Sequence, residues 1–152
     1  MMNSEELWSH YINKNYKDKN KAYDAWHFAD DEKSADELAE LVVKGEKTAT
    51  ASALCLYEFE NEELPKVGSF SIVLDWANSA KCIIKISKVY NAPFNKVTEE
   101  HAFKEGEGDK TLFHWRNVHK KFFSEGLKEY NQVFDQATII VCQEFEVVWK
   151  EA

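Results

Sequence analysis

Between Gly45 and Ser52 the chain reads Gly-Glu-Lys-Thr-Ala-Thr-Ala-Ser, which places one amine, Lys47, just ahead of three hydroxyls, Thr48, Thr50 and Ser52. An amine held beside a hydroxyl can act as its general base where desolvation favours the neutral form. The same groups can instead hold a carbonyl or a phosphate. Either use requires a sharp turn at 45–47, because in an extended strand Lys47 and Thr50 would point to opposite faces. The competing possibility is an exposed helix end running into a β-prone Thr-Ala-Thr. If the segment is reactive, Lys47→Ala is expected to abolish turnover and leave the fold intact.

Two further groupings carry chemistry. Glu105-Gly106-Glu107-Gly108-Asp109 sets three carboxylates on a glycine-hinged loop. Glu105, Glu107 and Asp109 could share a divalent cation, or one acid could donate a proton. The loop lacks the ligand count of an EF-hand, and on the residues alone a solvated acidic turn at the start of the next helix is the preferred account. Trp115-Arg116-Asn117-Val118-His119 puts Trp115 and His119 on one helical face at i and i+4, with Arg116 and His119 at i and i+3. Aromatic and guanidinium planes can stack a base, and arginine gives bidentate contacts that lysine cannot. Arg116 is the only arginine in a chain with 19 Lys+Arg, so its placement looks selected. The alternative for it is an internal salt bridge to Asp109 or Glu105.

The elements that must position these groups are legible from periodicity. Leu7, Trp8, Tyr11 and Ile12 have helical spacing behind a Ser4 cap. An aromatic stretch, Tyr23 to Phe28, leads to the acidic turn 30–32. Ser34 and Glu37 read as a capping box for a helix with Leu38, Leu41 and Val42 on one face and Gly45 as its stop. Ser52 to Glu60 fits helix or strand, and Pro65 to Gly68 is a turn. Ser69 to Asp75 and Lys81 to Tyr90 read as strands. A short helix runs from a Thr98 cap to Glu105, stopped by Gly106. Asp109 or Thr111 caps a long amphipathic helix, and Thr138 to Trp149 forms a final strand. Strands mixed with helices without regular βαβ alternation predict an α+β fold.

Bulk properties narrow the classes. A chain of 152 residues with 44% hydrophobic content can bury one core, and 5 Gly with 2 Pro leave little room for linkers. The net charge of -8 argues against coating nucleic acid through a basic surface, since such binding rests on neutralising phosphates. No membrane span and no basic-then-apolar leader is present, which predicts a cytoplasmic protein without membrane partners. Cys55, Cys82 and Cys142 are scattered in apolar runs and read as free core residues.

Taken together, Gly45-x-Lys47-Thr48-Ala49-Thr50-x-Ser52, Leu64-Pro65-x-Val67-Gly68, Pro93-Phe94, Glu105-Gly106-Glu107-Gly108-Asp109 and Trp115-Arg116-x-x-His119 resemble the ASCH domain family, over about 22–149. The resemblance implies a PUA-like β-barrel core flanked by helices, with the Gly-x-Lys-Thr motif lining a cleft and an association with RNA. A shorter branch of the family includes an amidohydrolase that deacetylates N(4)-acetylcytidine through a lysine, a threonine and a glutamate that follows His-Ala. Lys47, Thr50 and Glu105, the last after His101-Ala102, occupy those positions. The N-terminal helical region and the Glu-Gly-Glu-Gly-Asp and Trp-Arg elaborations depart from that branch.

The expectation is therefore a single domain, 1–152, with an N-terminal helical extension at 1–33 packed on a barrel with helices at 34–150. Its expected function is hydrolysis of an amide on a modified pyrimidine nucleoside. Lys47, Thr50 and Glu105 are the catalytic candidates. Thr48, Ser52, Asp109, Trp115, Arg116, His119, Trp26 and Phe28 are the substrate-binding candidates. No cofactor is expected beyond a divalent metal at Glu105, Glu107 and Asp109. The partner is a small nucleoside-like ligand or single-stranded RNA, with DNA not expected. The alternative function is a non-catalytic RNA-binding module, or a ribonuclease, using the same cleft.

Overall fold

The computed structural model describes residues 1–151. Hydrogen-bonded strands run in the order β1-β3-β4-β5-β2, where β1 is Tyr23–Trp26, β2 Ala49–Ala53, β3 Phe70–Leu74, β4 Ala80–Pro93 and β5 Ile139–Trp149. The helices are α1 Ser4–Lys14, α2 Glu32–Val43, α3 Leu54–Phe59, α4 Glu99–Glu105 and α5 Leu112–Lys128. The architecture is the expected α+β mixture. The pairings order the strands as a five-stranded sheet with β1 and β2 at its ends, and closure into a barrel is not among them. No helix among the described residues is long and apolar enough to cross a membrane.

The chain forms two compact units, and β4 and β5 run through both. The first gathers Met1–Glu46, Val67–Ser87 and the chain from Phe145 onward. Here β3 lies parallel to β1 and antiparallel to β4. All five β3 residues are buried because both of its faces are covered. Phe70, Ile72 and Leu74 meet Leu7, Trp8 and Tyr11 of α1, whereas Val73 meets Ala39 and Val42 of α2. The N-terminal helix is thus part of this unit's core. Asn3 caps α1 and Asp31 caps α2, each accepting a hydrogen bond from the backbone N–H three residues on. Ser34 therefore sits inside the first turn of α2, not at its cap.

The second unit comprises Lys47–Lys66 and Lys88–Glu144. Strand β2 pairs antiparallel with β5, from Ala49 opposite Glu144 to Ala53 opposite Ile140. Ala49, Ala51 and Ala53 alternate inward, and the small side chains of Ala51 and Ala53 join a core of Phe94, Trp115, Phe123, Leu127 and Ile140. Trp115, His119, Phe123 and Leu127 recur every four residues, so α5 turns one stripe into this core. The ambiguous stretch after Ser52 resolves into the end of β2 and the short helix α3. Cys82 of the first unit and Cys142 of the second are buried, free thiols. Burial pushes both up to about 12, which keeps them inert.

Candidate active site around Glu105

Helix α4 ends where the site begins. Thr98 caps its start by accepting from the His101 N–H, and Gly106 ends it in a left-handed conformation, φ 70°. That reversal, followed by a second at Gly108, returns the Glu107 carboxylate towards the helix end. A side chain at Gly108 would also collide with the His114 ring, within 2.3 Å. The last turn of α4 leaves carbonyls without helical partners. Thr48 satisfies one of them twice, its N–H donating to the Lys104 carbonyl at 2.7 Å and its hydroxyl to the same oxygen at 3.3 Å. This clamp draws Lys47 to α4. Lys104 in turn pairs with Glu144 of β5 at 3.0 Å, which ties α4 to the sheet.

Glu105 is the hub. Its Oε2 accepts from His101 Nε2 at 2.6 Å and from Trp115 Nε1 at 2.5 Å. Its Oε1 lies 3.2 Å from Lys47 Nζ and 3.5 Å from His119 Nε2. Lys47 also donates to Glu107 Oε2 at 2.8 Å. Lys47, Glu105 and His101 are each 1% exposed, so this charge is held almost wholly out of water. Burial alone would raise the Glu105 pKa. The Lys47 amine, the hydrogen bond from His101 and the nearby His119 ring outweigh it and hold the carboxyl well below the usual carboxylate range.

His119 faces acceptors with both ring nitrogens. Nδ1 donates to the Trp115 carbonyl at 2.9 Å, which directs Nε2 to Glu105. Burial opposes a charged ring, but the Glu105 carboxylate and then Glu107 raise its pKa above the ordinary value. The His119 ring stacks on Trp115, centroids 4.3 Å apart.

These two shifts predict the pH dependence of stability. Glu105 has a lowered pKa, so its contribution is present above 4.5 and is lost as pH falls through the folded-state value. His119 has a raised pKa, so its contribution is complete below 6.5 and is lost as pH rises through its folded-state value. The melting temperature should therefore be highest between those values, and His119→Gln should flatten the alkaline decline while weakening the acid one less, because Lys47 and His101 still hold the Glu105 carboxylate. Thermal melts from pH 4 to 9 test this; an unaltered alkaline slope in His119→Gln would rule out that origin.

The residues singled out in the sequence divide. Lys47, Glu105, Trp115 and His119 converge, as does Glu107, from loops and helices far apart in the chain. Trp115 is not a platform for a base, because its ring is stacked with His119 and with Phe94 and is 2% exposed. The Thr48 hydroxyl donates to the Lys104 carbonyl, and Ser52 is half-buried on β2. Thr50 shares the strand face of Ser52, opposite the buried alanines, and its hydroxyl makes no hydrogen bond to Lys47 or Glu105 among the described residues. Asp109 is exposed, and one of its oxygens accepts from the Thr111 N–H and hydroxyl. Thr111 itself is the α5 cap.

Asp109 is consequently absent from the close acidic grouping, which is Glu105, Glu107 and His119, with ligand atoms within 4.8 Å of one another. The Lys47 amine already lies on both carboxylates of that grouping. Arg116 is exposed and reaches the Asn95 carbonyl at 3.5 Å instead of Asp109 or Glu105. Trp26 and Phe28 belong to the first unit, where their rings meet edge to face, centroids 4.8 Å apart, against the α2 core. His101 was visible in the sequence only as a neighbour of Glu105. Its i,i+4 spacing was the available signal, and Tyr90 lies on its other nitrogen at 3.4 Å.

The sequence model of a family described as ASCH domain matches residues 24–149. The crystal structure of an ASCH domain from Lactobacillus crispatus JV V101 is 33% identical, with a TM-score of 0.88 over 93% of this chain and 91% of that one. Protein EF3133 from Enterococcus faecalis V583 is 40% identical, with a TM-score of 0.86 over 95% of this chain and 86% of that one. A hypothetical protein, PH0355, shares the fold at 16% identity and a TM-score of 0.54, over 84% of this chain and 100% of that one. No curated protein sequence matches the chain.

Proposed function

The chain belongs to the ASCH domain family, and from that premise we propose that the cluster around Glu105 is the reacting centre of a hydrolase for an acetylcytidine-like nucleoside. One observation carries the proposal: Lys47 and Glu105, 58 positions apart, meet as an ion pair at 1% exposure, with a second carboxylate, Glu107, on the same amine. Removing charges from water costs several kcal/mol per ion, roughly offset only by close pairing. Packing structure alone is served as well by apolar residues. Such clusters of perturbed titratable groups concentrate where proton and charge movement are needed.

In this reading water attacks the acyl carbon of the exocyclic amide. Lys47 donates towards the oxygen on which negative charge develops. A carboxylate of the cluster takes the proton from water and delivers it to the departing nitrogen as the C–N bond breaks. The products are the carboxylic acid and the free amine of the base. The net charge of -8 suits a neutral nucleoside better than a polyanion.

The test is turnover of N(4)-acetylcytidine, followed by chromatography, beside a salt titration with short single-stranded RNA. Deacetylation that barely responds to salt is expected. Absence of turnover together with RNA binding that weakens steeply with salt would replace the hydrolase by an RNA-binding module.

A further inference from the structure

Glu105 and Glu107 share one amine but differ in everything a proton carrier needs. A carboxylate has about four lone-pair sites, and Glu105 has three taken by hydrogen bonds, from Lys47 at Oε1 and from His101 and Trp115 at Oε2, with His119 Nε2 a further 3.5 Å from Oε1. Its side chain is 2% exposed. To accept a proton it would have to give up one of these contacts, because a proton acceptor needs an open lone pair. The side chain of Glu107 is 22% exposed, and Oε2 rests on Lys47. Its Oε1 has no hydrogen-bond partner among the described residues. It stands between two residues in left-handed conformation, Gly106 and Gly108, on a loop whose carbonyl at Glu107 is fixed by the Lys110 N–H at 3.0 Å.

We infer that Glu107, not Glu105, is the catalytic carboxylate that exchanges a proton with water and the departing amine, and that Glu105 is a positioning residue for Lys47. This assignment rests on the hydrolase reading. Glu107 removes one proton from the attacking water as the O–C bond forms, then returns it to the nitrogen as the C–N bond breaks, so it ends as it began. Glu105 remains an anion throughout and keeps Lys47 aimed. The low pKa of Glu105 agrees with that division, because a group so held is a poor proton donor at neutral pH.

The experiment compares Glu107→Ala, Glu105→Gln and the unaltered protein on N(4)-acetylcytidine and related N(4)-acylcytosines, with and without added formate. Melting temperatures are recorded alongside. Glu107→Ala should melt near the unaltered protein and lose about 10²–10⁴-fold in kcat, and formate should recover part of it, because the vacated position opens to solvent. Glu105→Gln should melt markedly lower and gain nothing from formate. Undiminished kcat in Glu107→Ala, or a loss that formate leaves untouched, would overturn the assignment while leaving the hydrolase in place. No turnover by the unaltered protein on any of these substrates would overturn both.

Discussion

Replacing Lys47 with methionine is expected to lower stability by about 3–5 kcal/mol, the usual consequence of leaving a buried charge without its partner. For a chain of this length that corresponds to a fall in melting temperature of roughly 6–20 °C. Methionine keeps the length and apolar stem of lysine, so the change isolates the amine. Glu105, at 1% exposure, cannot recover water in compensation. His101 and Trp115 still donate to its Oε2, which places the cost towards the lower end of the range. Glu107, more exposed, can turn outward at less expense. The sequence alone suggested that losing this amine would spare the fold; its burial among carboxylates predicts the opposite.

A second substitution distinguishes ion pairing from mere packing. In Lys47→Met with Glu105→Gln, the glutamine oxygen can take the Oε2 position and accept from His101 and Trp115. Its amide N–H groups then point to the side Lys47 has left, where the Glu107 carboxylate can accept. The double variant should thus be more stable than Lys47→Met alone, although the single substitutions each destabilise. Urea denaturation of the four proteins gives the coupling directly. A Lys47→Met midpoint equal to that of the unaltered protein would show the buried pair to be energetically idle.

What the sequence made legible was local. The Thr98 cap, the Gly106 stop, the Thr111 start of α5 and the strand from Phe70 all follow from side-chain chemistry within a few residues, and the structure has them. The cap of α2 was misplaced by three residues because Asp31 and Ser34 both have capping side chains, and only geometry decides which one accepts. The contact of Lys47 with Glu105 spans 58 positions, and no spacing rule reaches that far. Resemblance to a family supplied it instead. Resemblance could not show that Trp115 is stacked with His119 and Phe94 in the core, or that Arg116 turns to Asn95. Aromatic and cationic residues adjacent in sequence look like a binding surface, yet on a helix their side chains diverge by about 100° per residue. Buried and exposed roles then fall to immediate neighbours.

The second large effect concerns rate. Lys47→Gln, assayed on N(4)-acetylcytidine below its own melting temperature, is expected to lose about 10²–10³-fold in kcat, the range seen when one donor to a developing oxyanion is removed. KM should change little, because the neutral ground-state carbonyl gains much less from the ammonium than the charged transition state does. Glutamine retains N–H donors, so a loss of this size would report the missing charge and not a missing hydrogen bond alone. Lys47→Arg supplies the counterpart. It keeps the charge that Glu105 and Glu107 require, so it should recover more of the stability than of the turnover. Its planar fork, suited to bidentate carboxylate pairing, cannot place a single donor as the lysine amine does. A Lys47→Gln enzyme with unchanged kcat would remove the amine from the reaction. A raised KM with kcat intact would reduce it to a substrate-binding group. A fall in kcat alone, with Lys47→Arg folded but slow, would identify Lys47 as the donor on which the transition state depends.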